Sequence, residues 1–415
     1  MRILIITERY WPEAFRINDL AVGLRGRGHE ISVVTALPNY PSGRFFEGYG
    51  PRGTWREMRD GISIQRVPVW PRGRGNASRL ALNYLSYVVT ASAWLLARRP
   101  ACDAILVFQP SPVTTLLPAI VGRRRKTPVV AWILDLWPDT LESTGMLRSK
   151  LGLRLAAALS AWLYRRCDAV LGQSPAYRAR FEAMGVRPDR IEYLPSWAED
   201  LYASAPGTTA SQHLPWEAEF SVMFAGNLGK VQALDTVLDA AAEVRRRGER
   251  CHWVFIGDGS LRPWLEAEVV RRGLGEFVHL VGRRPVEEMP AWYARASAML
   301  VSLKRERILA MTVPGKIQSY MAASAPILAS LDGEGARVVI EAGAGFAAPA
   351  EDSAALADIA LRMKNLSAAA RAELGAAGRK YYKQNFSRAV ALTSVEDALK
   401  RAVDRCLRRT TALPT

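Results

Sequence analysis

Short unbroken apolar runs alternate with segments of helical periodicity from the first residues of this chain, and that alternation confines it to few architectures. Residues 3–7 form one apolar run. Ile17, Leu20, Ala21 and Leu24 then recur at helical spacing until Gly26 and Gly28 stop them, and residues 31–35 form a second, β-branched run. Parallel strands covered on both faces read as continuous apolar text, so strand, helix, strand with short glycine-containing connections predicts a βαβ unit. Residues 104–108, 129–134 and Ala169–Gly172 continue the series.

At 415 residues the chain exceeds what one core usually serves. Residues 203–215 are small and polar without period, as an exposed connection would be, and a second strand series follows at 220–225, 253–256, 278–281, 299–301 and 327–329. The expectation is an α/β protein with two doubly wound, Rossmann-like domains. The first covers 1–202 and the second 216–366, with helices over 367–415 returning toward the first.

The formal charge of +16 makes polyanions such as phosphorylated lipid, a membrane surface or nucleic acid plausible partners, and charge alone does not choose among them. Part of the arginine excess can equally follow from genome composition. Cys102, Cys167, Cys251 and Cys406 lack any CxxC spacing and read as free thiols in a reducing cytoplasm. The opening run is too short for a signal peptide. The longest apolar stretch, 80–97, is interrupted by Asn83, Ser86, Thr90 and Ser92, which suits a core or interfacial helix better than a membrane span. With Arg98, Arg99 and the basic run 123–126 nearby, it gives either a solvated surface or an anionic-membrane contact.

In open parallel sheets ligands sit off the carboxyl ends of the strands. Residues 224–230 end one strand in a small-residue turn containing Gly226, Asn227 and Lys230. Such a turn is either a tight connection or a phosphate cradle of backbone N–H groups with a cation. Pro314, Gly315 and Lys316 open a helix in the same half, where unpartnered N–H groups stand beside an ammonium. Gly257, Gly282 and Arg283 follow the intervening strands. In the first half, Glu13, Arg16 and Asn18 precede the first helix, and Asn39, Tyr40 and Ser42 follow the second strand, polar and aromatic groups of the kind that grip a sugar. Asp135, Trp137 and Asp139 follow residues 129–134. The two carboxylates are either an acid–base pair or, for Asp139 above all, a first-turn helix acid. No His/Cys/Asp cluster has metal-ligand spacing among the scattered His29, His213, His252 and His279.

The ordered phrases Tyr10-Trp11-Pro12-Glu13, Gly28-His29-Glu30, Pro38-Asn39-Tyr40-Pro41-Ser42-Gly43, Asp135-Leu136-Trp137-Pro138, Leu194-Pro195-Ser196-Trp197-Ala198-Glu199, Ala225-Gly226-Asn227-Leu228-Gly229-Lys230-Val231-Gln232 and Val313-Pro314-Gly315-Lys316 run the length of the chain. In them it resembles bacterial glycosyltransferase family 4, of the two-Rossmann GT-B architecture, nearest the branch containing colanic-acid and O-antigen L-fucosamine transferases. The resemblance implies two domains facing a cleft and a retaining, metal-independent transfer. The sugar would pass from a UDP-sugar co-substrate, with no other cofactor, to a polyprenyl-diphosphate-linked or saccharide acceptor in surface-polysaccharide assembly. The protein would be cytoplasmic, peripheral to the anionic inner membrane and without a nucleic-acid partner. Gly226, Asn227, Lys230, Gln232, Gly257, Pro314, Gly315 and Lys316 would hold the donor, with Gly282 and Arg283 bordering its base. Glu13, Arg16, Asn18, Asn39, Tyr40, Ser42 and Trp137 would line the acceptor side, and Asp135 with Lys230 and Lys316 would carry the chemistry. Where the family usually has two glutamates eight residues apart, this chain has Met311 and Ser319; Glu306 and Glu334 are the carboxylates left to substitute. A binding protein that lost catalysis and a nucleotide-sugar epimerase are the competing readings.

Overall fold

The apolar runs pair as strands in two separate sheets. The computed structural model describes residues 1–73, 77–109, 111–123, 127–143, 145–147, 149–203, 216 and 219–411. Arg124, Arg125, Lys126 and most of the expected linker, 204–215, lie outside the described residues.

The first sheet holds β1 (Arg2–Ile6), β2 (Glu30–Ala36), β3 (Arg56–Arg59), β4 (Ile62–Val67), β5 (Ala104–Gln109), β6 (Val129–Ile133), β7 (Ala169–Gly172) and β8 (Ile191–Tyr193), in the order β3-β4-β2-β1-β5-β6-β7-β8. Among the described residues only the β3–β4 pair of this sheet is antiparallel. Ile3 to Ile6, Ile105 to Phe108 and Val129 to Ile133 are all buried, as strands sandwiched between helices must be.

The second sheet holds β9 (Ser221–Ala225), β10 (His252–Ile256), β11 (Val278–Gly282), β12 (Ala298–Ser302), β13 (Ile327–Ser330) and β14 (Gly345–Ala348), all parallel, in the order β11-β10-β9-β12-β13-β14. This is the doubly wound order, which reverses between β9 and β12. Two Rossmann-like α/β domains are therefore present.

The division between them differs from the expected one. The first unit is Met1–Leu194 together with the chain from Leu392, and the second is Pro195–Ala391. The boundary moves up from 202/203 because Ala198 and Tyr202 are buried in the second unit's core, Tyr202 stacking on Tyr293 at 5.3 Å. The expected C-terminal helices also divide. The helix Ala368–Asn385 packs on the second unit through Tyr382, with Phe386 just beyond its end. The helix Arg388–Thr411 belongs to the first unit from Leu392, which packs against Gly23, while Glu396 meets His29 Nε2 at 2.7 Å and Arg401 pairs with Glu192 at 2.6 Å.

Candidate functional site

In the second unit the exits of β9, β10 and β12 are tied together at the point where the strand order reverses. Gly226 N–H donates to Ile256 O at 2.8 Å, Leu228 N–H to Asp258 O at 2.9 Å and Lys304 N–H to Val231 O at 2.9 Å. Gly226 and Gly257 have φ of +139° and +141°, and any Cβ on Gly257 would collide with Gly226 O. Glycine is needed there because the two turns touch through their backbones. Lys230 and Lys304 line one hollow of about 280 Å³ with Leu234, Asp235, Leu261 and Trp264.

Lys316 comes to the same turns from the helix Gly315–Ala322, whose N-cap is Pro314. Its Nζ donates to Gln232 Oε1 at 2.7 Å, lies 3.5 Å from the centroid of the Phe224 ring and packs its Cε over Gly226. Gln232 lies two residues past Lys230, so both cations border one turn. Burial pushes the Lys316 ammonium down to about 7, because the charged form has lost its water and gained only an amide and an aromatic face. A Cβ on Gly315 would meet nothing within 4 Å, so the helix N-terminus is open beside the ammonium. The result is a cation, a helix dipole and free backbone donors, a set suited to an anion.

The family's glutamate positions are occupied otherwise. The Ser319 hydroxyl donates back to Gly315 O at 3.2 Å within its own helix. Met311 follows the short helix Arg307–Ala310, which Glu306 N-caps. Gly333, at φ +75°, abuts the Ala310 carbonyl, so Glu334, which opens the helix Glu334–Glu341, stands next to the turn carrying Met311. Its carboxylate meets Arg337 at 2.9 Å. Gly282 accepts from Gly257 N–H at 3.0 Å, and Arg283 beyond it is exposed. Asn227 is exposed on the β9 turn.

In the first unit the predicted acceptor residues converge on Glu13. Its buried Oε1 accepts from Asn39 N–H at 2.8 Å, Tyr40 N–H at 2.7 Å and Arg9 at 3.3 Å, and Asn18 Nδ2 donates to Glu13 O at 2.8 Å. Burial nonetheless raises the Glu13 carboxyl. Asn39 is buried and accepts from Arg72 N–H at 3.3 Å, which makes Glu13 and Asn39 supports of the loop; Tyr40 carries the exposed ring. Arg9 and Arg72 lie 5.1 and 5.5 Å from that ring's centroid. Ser42, two residues past Tyr40, lines a hollow with Arg44, Phe45 and Arg79. Arg16 and Trp137 are half-buried at the starts of their loops and helices. Asp135, just past β6, is pushed up to about 6 by burial alone. Asp139 opens the helix Asp139–Ser143 and pairs with Arg180 at 2.7 Å, so its structural reading holds.

Sequence reasoning passed over Glu8, Arg9, Arg72, Tyr84 and Lys304. Glu8 is fully buried, its carboxyl raised by burial against the pull of Arg9, and Tyr84 feels the charges of Glu8, Arg72, Arg9 and Asp135. Two adjacent charges directly after β1 were a signal in the text; Arg72 and Tyr84 arrive from distant segments and carried none. Among the described residues no group of three His, Cys, Asp or Glu side chains is placed to hold a metal.

Residues 14–197 match the glycosyl transferase 4-like domain and residues 219–365 the glycosyl transferases group 1 domain. The glycosyltransferase WbjE of Pseudomonas aeruginosa is 26% identical over 270 residues, covering 63% of this chain and 66% of that protein, just under two thirds of its length. The colanic acid biosynthesis glycosyl transferase WcaI of Escherichia coli (strain K12) is 25% identical over 342 residues, 78% of this chain and 81% of that one. Sucrose-phosphate synthase from Thermosynechococcus elongatus superposes with a TM-score of 0.70 at 15% identity, over 98% of this chain and 100% of that one. Anabaena Alr3699/HepE, solved with UDP and glucose, superposes with a TM-score of 0.62 at 16% identity, over 96% and 99%.

Proposed function

This chain belongs to the glycosyltransferases that join a 4-like domain to a group 1 domain in the GT-B fold, and from that premise we propose that it moves a sugar from a UDP-sugar, with retention and without a metal, to a lipid-linked saccharide acceptor. Membership places it among transferases and apart from epimerases. The likeness to WcaI, named for colanic acid biosynthesis, supports bacterial polysaccharide synthesis as its setting. The HepE structures with UDP and UDP-glucose support UDP as the donor's nucleotide.

One observation carries the reading: Lys316 is held by Gln232 beside Gly226, at the mouth of a helix N-terminus. As the bond between the sugar's anomeric carbon and the diphosphate oxygen breaks, negative charge grows on the departing UDP. Lys316, Lys230 and the N–H groups of Asn227, Gly229 and Gly315 stabilise that charge, and preorganised donors of this kind supply the largest share of many rate enhancements. Arg283 and Gly282 border the base, and Glu334 takes the position nearest the missing glutamate at 311. In the first unit Tyr40, on the loop fixed by Glu13, stacks on the acceptor, which is carried on lipid at the anionic inner-membrane surface. Asp135 takes the acceptor's proton.

Thermal-shift titration with UDP and a set of UDP-sugars tests the donor site. Stabilisation by UDP that disappears in Lys316→Ala is expected; no response to any nucleotide sugar would overturn the assignment. Transfer onto a lipid extract, followed by product analysis, then reports the acceptor class and the stereochemistry.

A further inference from the structure

Two helices of the first unit, packed on either side of a third, turn apolar side chains outward, and Val121 of the third is exposed between them. The helix Ala77–Arg98 buries Tyr87, Ala91 and Leu95 and exposes Leu82, Leu85, Val89 and Leu96, Leu85 and Val89 by 60% and 57%. The helix Lys150–Arg166 does the same: Ser160, Leu163 and Tyr164 are buried, while Leu151 and Leu155 are exposed by 66% and 63%. Between them packs the uncharged helix Pro112–Gly122. Its Gly122 lies on Leu95, and the Arg123 guanidinium beyond it donates to Arg166 O at 3.3 Å.

Solvent-facing leucine at helical spacing on two helices that flank a third is costly in water, and apolar patches of this kind mark contact surfaces. The charges say what covers it. None of the three helices contains an Asp or Glu, and their charged residues are Arg79, Arg98, Lys150, Arg154, Arg165 and Arg166. An apolar stripe edged by cations alone matches the boundary between anionic headgroups and acyl chains. Trp70, exposed beside this layer, is fixed by its backbone to Ser86 and Asn83 at 2.9 and 2.6 Å. An aromatic ring belongs at that depth. The helix Ala77–Arg98, the longest of the three, is apolar enough to span a bilayer by composition, with a mean hydropathy of 1.4. It is tied to the unit, however: Tyr87 Oη donates to Thr7 O at 2.8 Å and Thr90 Oγ1 to Pro68 O at 2.8 Å, so it lies on the sheet and presents one face.

We propose that this three-helix face seats the first unit on an anionic phospholipid bilayer, leucines in the acyl boundary and guanidinium groups on lipid phosphates. The proposal deepens the proposed function by giving its membrane encounter a surface, and it is measured with no sugar present, so either can fail alone.

Flotation of the full chain with phosphatidylcholine vesicles, with and without half phosphatidylglycerol, tests it. The chain should rise with the anionic vesicles and stay down with the neutral ones. Leu85→Glu with Leu155→Glu, and separately Arg98→Glu with Arg154→Glu, should each cut vesicle binding at least tenfold while UDP-induced thermal stabilisation stays as in the parent. If the glutamate pair fails to fold, Leu85→Ser with Leu155→Ser serves in its place. Parent protein left at the bottom with anionic vesicles, equal flotation of parent and folded variants, or equal binding to neutral vesicles would overturn the proposal. So would a parent dimer that the leucine variants dissociate without changing flotation, since a second copy would then cover the face.

Discussion

The Lys316 ammonium lies 3.5 Å from the centroid of the Phe224 ring, with the Gln232 amide oxygen as its hydrogen-bond partner at 2.7 Å. A cation so placed is short of negative charge, and its titration is pushed down to about 7 by burial. The sign follows from linkage. The penalty of holding the charged form is full below pH 7, and it fades as pH rises from 7 toward the ordinary lysine range, so the unliganded protein gains stability from this group over that window. A bound diphosphate restores the charge and must draw in a proton above pH 7. UDP affinity should therefore fall between pH 7 and 9, by up to about tenfold per unit. Calorimetry in buffers of differing ionisation enthalpy should show the proton uptake, and both effects should vanish in Lys316→Met. A flat profile in the parent protein would remove diphosphate contact from Lys316.

Lys230 and Lys316 reach the same turn from different elements, one on the β9 exit and the other on the helix Gly315–Ala322. If both act on the charge that develops as UDP departs, Lys316→Ala should lower kcat by about 10²–10³-fold, the range for loss of one preorganised donor. Lys230, more exposed and beside Lys304, should matter less in kcat and more in KM for the donor. Steady-state kinetics of the two variants against one UDP-sugar checks the split.

Two glycines of this site separate folding from binding. A Cβ at Gly257 meets the Gly226 carbonyl at a φ of +141°, whereas a Cβ at Gly315 meets nothing. Gly257→Ala should lower Tm by several degrees, since strain of this kind costs about 1–3 kcal/mol or more. Gly315→Ala should leave Tm unchanged and weaken UDP, because the methyl group stands where the phosphate would approach the helix N-terminus. Equal UDP affinity in Gly315→Ala and the parent would argue against that approach.

How much of this was legible follows from which residues carried their signal locally. The buried parallel strands were readable because both faces are covered, which leaves unbroken runs such as residues 104–108 and 129–134. β14, Gly-Phe-Ala-Ala, and β3, Arg-Glu-Met-Arg, were not, since edge strands need no such run. The turn at Gly226 and the helix opening at Pro314 stood out as text because glycine and proline punctuate the chain. The pairing of Lys316 with Gln232, 84 positions apart, and the gathering of Glu8, Arg72, Tyr84 and Asp135 depend on tertiary packing and left no local trace. The expected N-terminal return of residues 367–415 was half legible: helical periodicity is visible in both helices, but which core each covers is decided by Tyr382 and Leu392 individually.

Glu13 organises its loop through a single oxygen that accepts two main-chain N–H groups and Arg9. Glu13→Ala strands those buried donors, each costing about 1–3 kcal/mol, and should lower the Tm of the first unit's transition. The same variant should raise KM for the acceptor while UDP binding, proposed for the other unit, stays unchanged. Isothermal titration with UDP, beside acceptor kinetics, distinguishes this from general unfolding.

Asp135 offers the sharpest division between a structural and a chemical carboxylate. Burial alone pushes it up to about 6, with no cation in close support among the described residues. Its folded value lies above the ordinary aspartate value, so the native protein loses stability from this group as pH rises from about 4 to 6, and the penalty is complete above 6. Asp135→Asn removes the charge and should raise Tm at pH 8, by the equivalent of about 1–3 kcal/mol. A carboxylate kept for structure would behave in the opposite way. If it also takes the acceptor proton, the parent's kcat/KM should fall below about pH 6 as the carboxyl protonates, and Asp135→Asn should lose that limb and about 10²–10⁴ in rate. A variant that gains stability while keeping full activity would leave Asp135 without a part in the transfer, and the search for the base would pass to Glu8, buried beside Tyr84.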